Sequence, residues 1–328
     1  MLSVTHFYRE PRNTGVSIEG IFKTVKNELK GKAVIVDFIC DPNVSRLQNT
    51  FSAHSQATEV NHITGDVNFL ALGLTGKKTI LTIHDFGYYE NPVHGKLKKL
   101  FYKLFWFQLP LKTVDIVTVV SNFTKSKLIE YFNFPEEKIR VIHDPVKPIF
   151  TFTPKETLNT VPVVLMLGTG KHKNLDNLIQ AARGQRIHLD IIGNPAMDEL
   201  EKLEDYAISH TVSNNLTDEE VFAHYKACDI VFMASLYEGF GMPIIEAQAV
   251  GRPVITSNIG AMKEIGEGTT LLIDPHNADD IRDAIDLLTD KEVYDAVVAK
   301  GVENAAKYDH KIIAEQYLAV YKELAESS

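Results

Sequence analysis

The sequence predicts an α/β protein made of two doubly wound domains. Short apolar runs alternate with longer segments of helical period along almost the whole chain. Most of these runs are β-branched and apolar on both faces, which is typical of parallel strands covered by helices on both sides. The chain has 328 residues, and domains of roughly 150 residues make two the expected number.

The strand-like runs divide into two series. In the first half they are residues 2–8, 33–39, 60–63, 79–84, 116–120 and 139–142. In the second half they are residues 163–167, 188–192, 230–234, 254–257 and 270–273. Each series is long enough for one sheet, and helical segments separate its members, as parallel connections require.

Local signals predict where several helices begin and end. Thr217 stands three residues before Glu220, which is the spacing of a capping box. Pro243 suits the first residue of a helix, and Gly251 suits its end. The last helix is predicted over residues 310–326 and follows other helices with no strand between.

A proline-rich segment divides the chain. Four of the thirteen prolines fall within residues 144–162, which we interpret as a linker between the domains. The predicted boundaries are a first domain of residues 1–145, a linker of 146–162 and a second domain of 163–308. Two such domains are expected to face a central cleft, with ligands at the carboxyl ends of their strands.

Charge is distributed unevenly between the two halves. The net charge is −9, which argues against nucleic-acid binding. Residues 1–150 carry 19 Lys/Arg against 14 Asp/Glu, whereas residues 151–328 carry 15 against 29. The halves therefore meet different partners.

The small number of cysteines excludes two kinds of structural cross-link. Cys40 and Cys228 are too few for a disulfide framework or a Cys₄ zinc site. No run approaches the ~18 apolar residues of a membrane-spanning helix. We therefore expect a cytoplasmic protein.

The strongest motif lies at residues 230–251. A buried strand at 230–234 is followed by Glu238, a glycine-containing turn at 239–241 and a helix that carries Glu246. The amino end of a helix has unpaired N–H donors and suits a phosphate. The two carboxylates accept hydrogen bonds from several hydroxyls, which a sugar and a ribose both present.

This run, Glu238-Gly-Phe-Gly-x-x-x-x-Glu246, resembles the signature of family 4 of the retaining glycosyltransferases, enzymes of GT-B fold with two Rossmann-like domains. Further segments agree in the same order: LTIHD at 81–85, VSNFTK at 120–125, GTGKHKNL at 168–175 and IDP at 273–275. The resemblance covers residues 79–328 well and the first 78 loosely. It implies an acceptor-binding first domain, a second domain for the nucleotide sugar, and a C-terminal helix, 309–328, that packs back on the first domain.

The resemblance implies roles for residues of the second domain. Glu246 should bind the ribose, Glu238 the hydroxyls of the donor sugar, and Lys173 should neutralise the diphosphate as the glycosidic bond breaks. The donor-binding set continues with Gly239, Phe240, Gly241, Met242, Gly168, Thr169 and Lys171. Many family members carry Arg where this chain has Thr169, and Lys171 is the candidate for the second charge, its alternative being a solvated lysine.

In the first domain the resemblance makes His84 the residue that contacts the donor sugar near its reacting carbon, its alternative being a hydrogen-bonded histidine at a strand end. Asp85 is a further candidate, with helix capping or loop bonding as its alternative. His62 is expected to line the acceptor side. Gly15 and Arg12 fall in the loop that usually approaches the diphosphate and acceptor, and Arg12 either meets an acceptor phosphate or is solvated.

The implied activity is transfer of a hexose, by weak analogy mannose, to a glycan or lipid-linked acceptor in cell-surface polysaccharide synthesis. The donor is a GDP- or UDP-linked sugar, with retention of configuration, no metal and no cofactor besides the substrate. A non-catalytic sugar-nucleotide-binding scaffold of the same fold is the alternative. A dehydrogenase is disfavoured because no strand is followed by G-x-G-x-x-G.

Residues 94–112 form a basic amphipathic segment. From 91 to 114 there are five lysines and no acidic residue. One helical face is shared by Leu97, Leu100, Phe101, Leu104 and Phe105. Such a helix lies on an anionic membrane surface, which makes the protein peripheral on the inner face of the membrane, or it packs its apolar face inward.

Overall fold

The computed structural model describes residues 1–10, 18–90 and 95–327, without the side chain of Lys96. The chain forms two compact units. The first comprises Met1–Pro145 together with His310–Ser328, and the second comprises Val146–Asp309. The C-terminal helix thus belongs to the same unit as the N-terminal residues.

Strands were numbered in chain order. They are β1 (Leu2–Tyr8), β2 (Ala33–Ile39), β3 (Val60–Ile63), β4 (Thr79–Ile83), β5 (Ile116–Val119), β6 (Ile139–Val141), β7 (Val163–Leu167), β8 (His188–Ile192), β9 (Ser209–Ser213), β10 (Ile230–Met233), β11 (Val254–Ser257) and β12 (Leu271–Ile273).

The α-helices follow the same numbering. They are α1 (Ile18–Glu28), α2 (Arg46–Ser55), α3 (Gly87–Glu90), α4 (Lys96–Tyr102), α5 (Leu109–Leu111), α6 (Asn122–Phe132), α7 (Leu175–Ala182), α8 (Met197–Asp205), α9 (Asp218–Ala227), α10 (Met242–Val250), α11 (Gly260–Gly266), α12 (Ala278–Leu287), α13 (Lys291–Ala305) and α14 (His310–Glu326). Short 3₁₀ turns include Asn68–Leu74 and Lys171–Lys173, and a π-helical turn at Lys103–Gln108 joins α4 to α5.

Each unit contains one six-stranded parallel sheet, so the predicted fold class is confirmed. In the first unit the strand order is β2-β1-β3-β4-β5-β6. In the second it is β12-β11-β10-β7-β8-β9, which is the doubly wound order 3-2-1-4-5-6 when the strands are counted within the unit. All pairs of neighbouring strands are parallel, for example Val164 of β7 opposite Ile230 of β10.

Most strands coincide with the predicted apolar runs because they are buried on both faces. The four residues of β3 and the four of β10 are all buried. The prediction missed β9, whose sequence Ser-His-Thr-Val-Ser is polar and whose residues are exposed or half-buried. It lies at the edge of its sheet, where one side of the strand needs no apolar cover.

The predicted helix signals are confirmed where the structure describes them. The side chain of Thr217 accepts a hydrogen bond from the N–H of Glu220 at the start of α9, and the capping box is complete. Pro243 lies in the first turn of α10, and Gly251 ends that helix with φ 82°. All residues of α10 except Ala249 are buried, so this helix is central to the second unit.

The basic amphipathic segment is helical, but its apolar face is exposed. Leu97 is 85% exposed and Phe101 is 56% exposed. Other side chains of the segment pack inward, since Phe107 is buried and Trp106 contacts Phe69. The alternative in which the predicted apolar face packs inward is therefore wrong. Among the described residues, no helix is long and apolar enough to span a membrane.

Candidate active site

The order of strands in the second sheet reverses between β7 and β10, its two central strands, because the chain runs outward from β7 to one edge and then from β10 to the other. Ligands of doubly wound proteins bind at the carboxyl ends of the strands that flank such a point. Gly168 follows β7 directly, and its N–H donates to the carbonyl of Ile192 at 2.7 Å. Glu238 lies in the segment that follows β10. The two predicted donor-binding segments therefore emerge side by side.

Lys173 and Glu238 form an ion pair across this point. The Lys173 Nζ and Glu238 Oε1 atoms are 2.7 Å apart, and their side chains are 19% and 17% exposed. The Nε2 atom of His172 is 3.9 Å from the same carboxylate oxygen. The backbone joins the same segments, because the N–H of Leu236 donates to the carbonyl of His172 at 2.7 Å.

Asn174 holds the lysine turn in place, and the sequence analysis missed it. Its buried side-chain amide donates to the carbonyls of Ala234, at 3.0 Å, and Pro275, at 2.7 Å. Its backbone is left-handed, with φ 71°, a conformation that Asn adopts more readily than most residues. The available signal was an asparagine directly before a helix in the glycine- and lysine-rich run.

Glu246 is a buried carboxylate with one unsatisfied oxygen. It is 1% exposed on α10, and the hydroxyl of Tyr225 donates to its Oε2 atom at 2.9 Å. Within the described part of the chain its Oε1 atom has no hydrogen-bond partner. Burial raises its pKa from 4.5 to about 7, opposed chiefly by the charge of Lys147. Neither Tyr225 nor Lys147 belongs to a motif that the sequence reveals.

The turn before α10 presents backbone rather than side chains. Gly241 has φ 116°, which L-amino acids with a side chain rarely adopt. The Phe240 ring is buried and lies 5.7 Å from the Tyr308 ring, and Met242, the first residue of α10, is also buried. Gly239 lies in the same turn, so these residues have mainly backbone groups to present to a ligand.

The turn after β7 carries Thr169 where the resemblance leads one to expect an arginine. The hydroxyl of Thr169 accepts the N–H of Asn194 at 2.9 Å, which joins this turn to the segment after β8. Lys171 is exposed at the start of the Lys171–Lys173 turn. Positive charge is thus supplied by lysines of the 3₁₀ turn.

His84 directly follows β4 in the first unit, and hydrogen bonding of its side chain holds it in place. Its Nε2–H donates to the carbonyl of Thr64 at 2.8 Å, and its Nδ1 atom is 3.9 Å from Oδ1 of Asp144. Asp144 is buried, which raises the pKa of its carboxyl group. A Cβ atom at Gly65 would lie 2.7 Å from the His84 ring, so only glycine fits there. The predicted contact of His84 with a donor sugar remains a prediction.

His62 is not where the sequence analysis expected it. It is fully buried, and its ring nitrogens contact the hydroxyls of Tyr321, at 2.8 Å, and Thr82, at 2.7 Å. The expectation that it lines the acceptor side is wrong, because it lies within the sheet rather than beyond its carboxyl end and has partners inside the unit.

Of the remaining candidates in the first domain, the structure describes only Asp85. Asp85 is exposed, and its Oδ1 atom accepts the N–H of Gly87 at 2.7 Å, so the loop-bonding alternative is observed. Gly15 and Arg12 lie outside the described residues. Within those residues, no three His, Cys, Asp or Glu side chains are grouped as a metal site would need.

Two family models match consecutive parts of the chain. The model for glycosyl transferases group 1 matches residues 150–307. The model for glycosyltransferase family 4 matches residues 45–148. The first match includes Lys173, Glu238 and Glu246, and the second includes His84.

Named relatives are similar at low identity. O-antigen chain mannosyltransferase B of Escherichia coli is 24% identical over 270 residues, which are 75% of this chain and 70% of that protein. Serotype-specific mannosyltransferase WbdA of the same species is 24% identical over 239 residues, 65% of this chain. That match spans only 29% of the relative's length.

Solved structures share the fold along the whole chain. Sucrose-phosphate synthase of Thermosynechococcus elongatus aligns with a TM-score of 0.81 at 18% identity, covering 100% of both chains. Anabaena HepE, in complex with UDP and glucose, aligns with a TM-score of 0.80 at 15% identity, covering 97% and 99%. By its two sheets and its two family matches, the chain belongs to the group 1 glycosyl transferases and has the GT-B fold.

Proposed function

We propose that this protein transfers a hexose from a nucleoside diphosphate sugar to a glycan or lipid-linked acceptor in the synthesis of a cell-surface polysaccharide. The observation that carries the proposal is the unsatisfied Oε1 atom of Glu246. A buried polar atom without a partner is rare and costs free energy, whereas a ribose hydroxyl supplies the missing donor. The neighbouring Lys173–Glu238 pair supplies groups for a diphosphate and a sugar.

Each residue has a chemical task in this proposal. The Lys173 ammonium has three N–H donors, so it binds the diphosphate while it keeps its bond to Glu238. Its positive charge stabilises the leaving diphosphate as negative charge develops there. Glu238 accepts hydrogen bonds from hydroxyls of the donor sugar.

The reaction is proposed to retain the configuration at the sugar's reacting carbon. The bond from this carbon to the diphosphate oxygen breaks, and a bond to the acceptor oxygen forms on the same face. The departing phosphate oxygen takes the acceptor's hydroxyl proton. Lysine charge and backbone N–H groups neutralise the leaving group, and we propose that the reaction needs no metal.

Mannose from GDP-mannose is the proposed donor group, with UDP-linked hexoses as the alternative. The first is supported by the names of the Escherichia coli relatives, which are mannosyltransferases. The second is supported by the Anabaena structure, which contains UDP and glucose. The base must be read by contacts outside the Glu238–Glu246 motif.

A thermal-shift panel tests donor binding. UDP, GDP, ADP and their sugars are added with and without EDTA, and a ligand that binds the folded state raises the melting temperature. We expect a rise that is selective for one base and unchanged by EDTA. Glu246→Gln should lose most of this rise, while Lys263→Gln, a change on α11, serves as a matched surface control. No rise with any nucleotide would contradict the proposal.

Turnover is tested separately. The nucleotide sugar selected by the panel is incubated with glycan and lipid-linked acceptors, and product is followed by mass spectrometry. Glu238→Ala should abolish transfer. Binding of the nucleotide sugar without transfer to water or to any acceptor would favour the scaffold alternative.

We further propose that the helical segment Lys96–Leu111 contacts an anionic membrane surface. Its apolar face is exposed through Leu97, Leu100 and Phe101. Lysines lie along the same segment, and residues 91–114 contain no acid. Apolar side chains flanked by lysines match the boundary between acyl chains and anionic headgroups.

Vesicle co-sedimentation tests this contact. The protein should bind vesicles of phosphatidylglycerol more than vesicles of phosphatidylcholine, and added salt should weaken the binding. The double variant Leu97→Ser/Phe101→Ser should lose it. Met197→Ser/Leu287→Ser, which changes two exposed apolar residues of the second unit, is the matched control. Binding that is independent of anionic lipid would contradict the proposal.

A further inference from the structure

Arg252 is a charged residue in the interior of the second unit. It is 1% exposed, and a guanidinium group stays protonated in proteins. Burial of a charge is costly unless hydrogen bonds or an opposite charge compensate for it. The buried carboxylate of Asp229 is paired with Lys155, at 3.2 Å. In the described part of the chain, the hydrogen bonds that the Arg252 side chain donates all end on backbone carbonyls.

These carbonyls belong to three different segments of the second unit. The Nη1 atom of Arg252 donates to the carbonyls of Thr153, at 2.8 Å, Gly251, at 2.9 Å, and Val250, at 3.3 Å. Its Nη2 atom donates to the carbonyl of Lys226 at 2.9 Å. Its Nε atom has no partner among the described residues. The two terminal nitrogens therefore join the ends of α9 and α10 to the segment that precedes β7.

Both helix ends present carbonyls with a negative partial charge. Lys226 lies in the last turn of α9, and Val250 and Gly251 lie at the end of α10. The last carbonyls of a helix have no partner within it and form the negative end of its dipole. The backbone N–H of Arg252 adds a bond to the carbonyl of Ala247 at 2.8 Å. A buried cation between the two ends thus stabilises one arrangement of the helices.

The same two helices carry the residues of the proposed ribose site. Tyr225 directly precedes Lys226 on α9, and Glu246 directly precedes Ala247 on α10. The hydroxyl of Tyr225 donates to the Oε2 atom of Glu246 at 2.9 Å. This bond joins α9 to α10, so its length depends on how the helices lie against each other. Hydrogen bonds weaken steeply when their geometry is lost.

We infer that Arg252 is a positioning residue for donor binding, which fixes the ends of α9 and α10 and thereby keeps the Tyr225 hydroxyl bonded to Glu246. The other oxygen of that carboxylate then stays available for the donor's ribose. Arginine suits this task because its planar fork directs two nitrogens at carbonyls of different segments, whereas a lysine ammonium is a single point. The inference rests on the proposed function, which assigns Glu246 to the ribose.

Arg252→Lys tests the inference because it keeps the positive charge and removes the fork. The donor's Kd, measured by calorimetry with the nucleotide sugar that the thermal-shift panel selects, should rise by up to about tenfold, as when one hydrogen bond is lost. Tyr225→Phe should give a similar rise. Adding Arg252→Lys to Tyr225→Phe should change the Kd little further, because both changes remove the same bond. Losses that multiply in the double variant would overturn the inference.

The pKa of Glu246 is a readout that a purely structural role would not move. It is measured in the ligand-free protein by NMR of isotope-labelled glutamate, with Glu246→Gln to assign the signal. The hydrogen bond from Tyr225 lowers this pKa, so Arg252→Lys should raise it. The charged groups near the carboxylate remain in this variant, namely Lys147, Lys173 and Asp218. An unchanged pKa would contradict the inference.

Arg282→Lys is the matched control, because Arg282 also holds the end of a helix in the second unit. Its guanidinium donates to the carbonyls of Gln180, at 3.4 Å, and Ala181, at 3.2 Å, in the last turn of α7. Arg282→Lys should lower the melting temperature and leave the pKa of Glu246 unchanged. An equal rise of this pKa in both variants would mean that any loosening of the unit produces it, and the inference would be wrong.

Failure of this inference and failure of the proposed function give different results. Absence of donor binding in the unchanged protein would contradict the proposed function, whereas the pKa of Glu246 would still show whether Arg252 maintains the bond from Tyr225. If Arg252→Lys does not fold, Arg252→Gln takes its place. Its effect on the pKa should vanish in the Tyr225→Phe background, which a mere loss of charge would not do. If neither variant folds, Arg252 serves stability alone and the inference is wrong.

Discussion

The two units have similar sheets but differ in the titratable groups that they bury: the first buries a pair of histidines besides Asp144, and the second buries Glu246. The first buries His6 and His62, whose pKa values fall because burial disfavours the charged imidazole, that of His6 to about 3. The second buries Glu246, whose pKa rises to about 7 for the same physical reason. In both units, burial favours the neutral form.

The difference lies in the hydrogen bonds around these groups. The ring nitrogens of His62 contact the hydroxyls of Thr82 and Tyr321, and those of His6 contact Tyr8 and Tyr321. The Glu246 carboxylate has one oxygen satisfied by Tyr225 and one without a partner among the described residues. The network around the two histidines is complete, whereas a ligand can still supply a hydrogen-bond donor to the Glu246 carboxylate.

Among the changes that distinguish the two units, the largest effect after that of Glu238→Ala is expected from Lys173→Ala. This change removes the charge that faces the leaving diphosphate, so kcat should fall about 10²- to 10³-fold. Steady-state kinetics measures the fall, with the donor and acceptor that the thermal-shift panel and the transfer assay select. The same variant should leave the first unit unchanged, as judged by Trp106 fluorescence.

Lys171→Ala is the matched control for Lys173→Ala. It removes a lysine from the same 3₁₀ turn, but Lys171 is exposed whereas Lys173 is paired with Glu238. Its effect on kcat should be less than about tenfold. An equal fall in kcat in the two variants would mean that the total positive charge of the turn matters, and not the position of the Lys173 ammonium.

The second unit's candidate residues could be found from the sequence because they lie within short segments. Glu238 and Glu246 flank one turn between a strand and a helix, and Lys173 follows the first strand of its sheet. Their partners were not predictable in this way. Tyr225 lies 21 residues before Glu246, and only the folded chain brings them together.

In the first unit, the position of a histidine along a predicted strand was not enough to tell whether its side chain is buried or lies beyond the end of the strand. The sequence placed both His62 and His84 near strand ends, yet His62 lies within β3 and contacts α14, whereas His84 lies beyond β4. The contact with Tyr321 joins residues 259 positions apart. A periodic pattern gives no information about such a distant partner.

The next largest effect is acid destabilisation of the first unit. His62 stays neutral in the folded unit because burial lowers its pKa, whereas the unfolded chain binds a proton below pH ~6.5. Its contribution to stability is therefore present above that pH and is lost as the pH falls, by about 1.4 kcal/mol per pH unit. Urea unfolding followed by Trp106 fluorescence between pH 7 and 5 measures this slope.

Two variants isolate the histidine's part of that slope. His62→Gln should reduce the pH dependence, while the contributions of His6 and Asp144, whose pKa values burial also shifts, remain and cancel in the difference. Tyr321→Phe removes a hydroxyl from the network without removing a histidine, so it should lower stability at all these pH values and preserve the slope. A slope unaffected by His62→Gln would show that His62 binds its proton equally in both states.

Glu246 should make donor affinity depend on pH in the same direction as the stability of the first unit. Burial raises the pKa of Glu246 to about 7, and Asp218 also raises it. The charges of Lys147 and Lys173 and the hydrogen bond from Tyr225 lower it. Hydroxyl donors of the ribose favour the carboxylate, so donor affinity should rise with pH up to about 7, by at most tenfold per unit. Above that pH it should level off.

Calorimetry tests the proton release directly. Titration of the nucleotide sugar at pH 6.5 in buffers of different ionisation enthalpy should reveal protons released on binding. Glu246→Gln cannot ionise and should release none from this position. Equal release by the variant and the unchanged protein would assign the proton to another group.

For Glu246 itself, the linkage to stability has the reverse sign to that of His62. Its folded-state pKa lies above 4.5, so its stabilising contribution is fully present below that value and is lost as the pH rises to about 7. The ligand-free second unit should thus lose stability over a range in which the first gains it. A bound donor should reduce this loss, because it satisfies the carboxylate.

The smallest effect is expected from Tyr225→Phe. The lost hydroxyl donates to Glu246 at 2.9 Å and lowers its pKa, so the variant should move the midpoint of the pH profile upward. One hydrogen bond is worth roughly 0.5–1.5 kcal/mol, and donor affinity at pH 7 should fall by about that amount. Tyr294→Phe is the matched control, since the buried Tyr294 hydroxyl has no partner among the described residues and its loss should leave donor affinity unchanged. If the midpoint of the pH profile does not move in Tyr225→Phe, the hydrogen bond from Tyr225 does not set the pKa of Glu246. The unsatisfied Oε1 atom alone would then account for the effect of pH on donor binding.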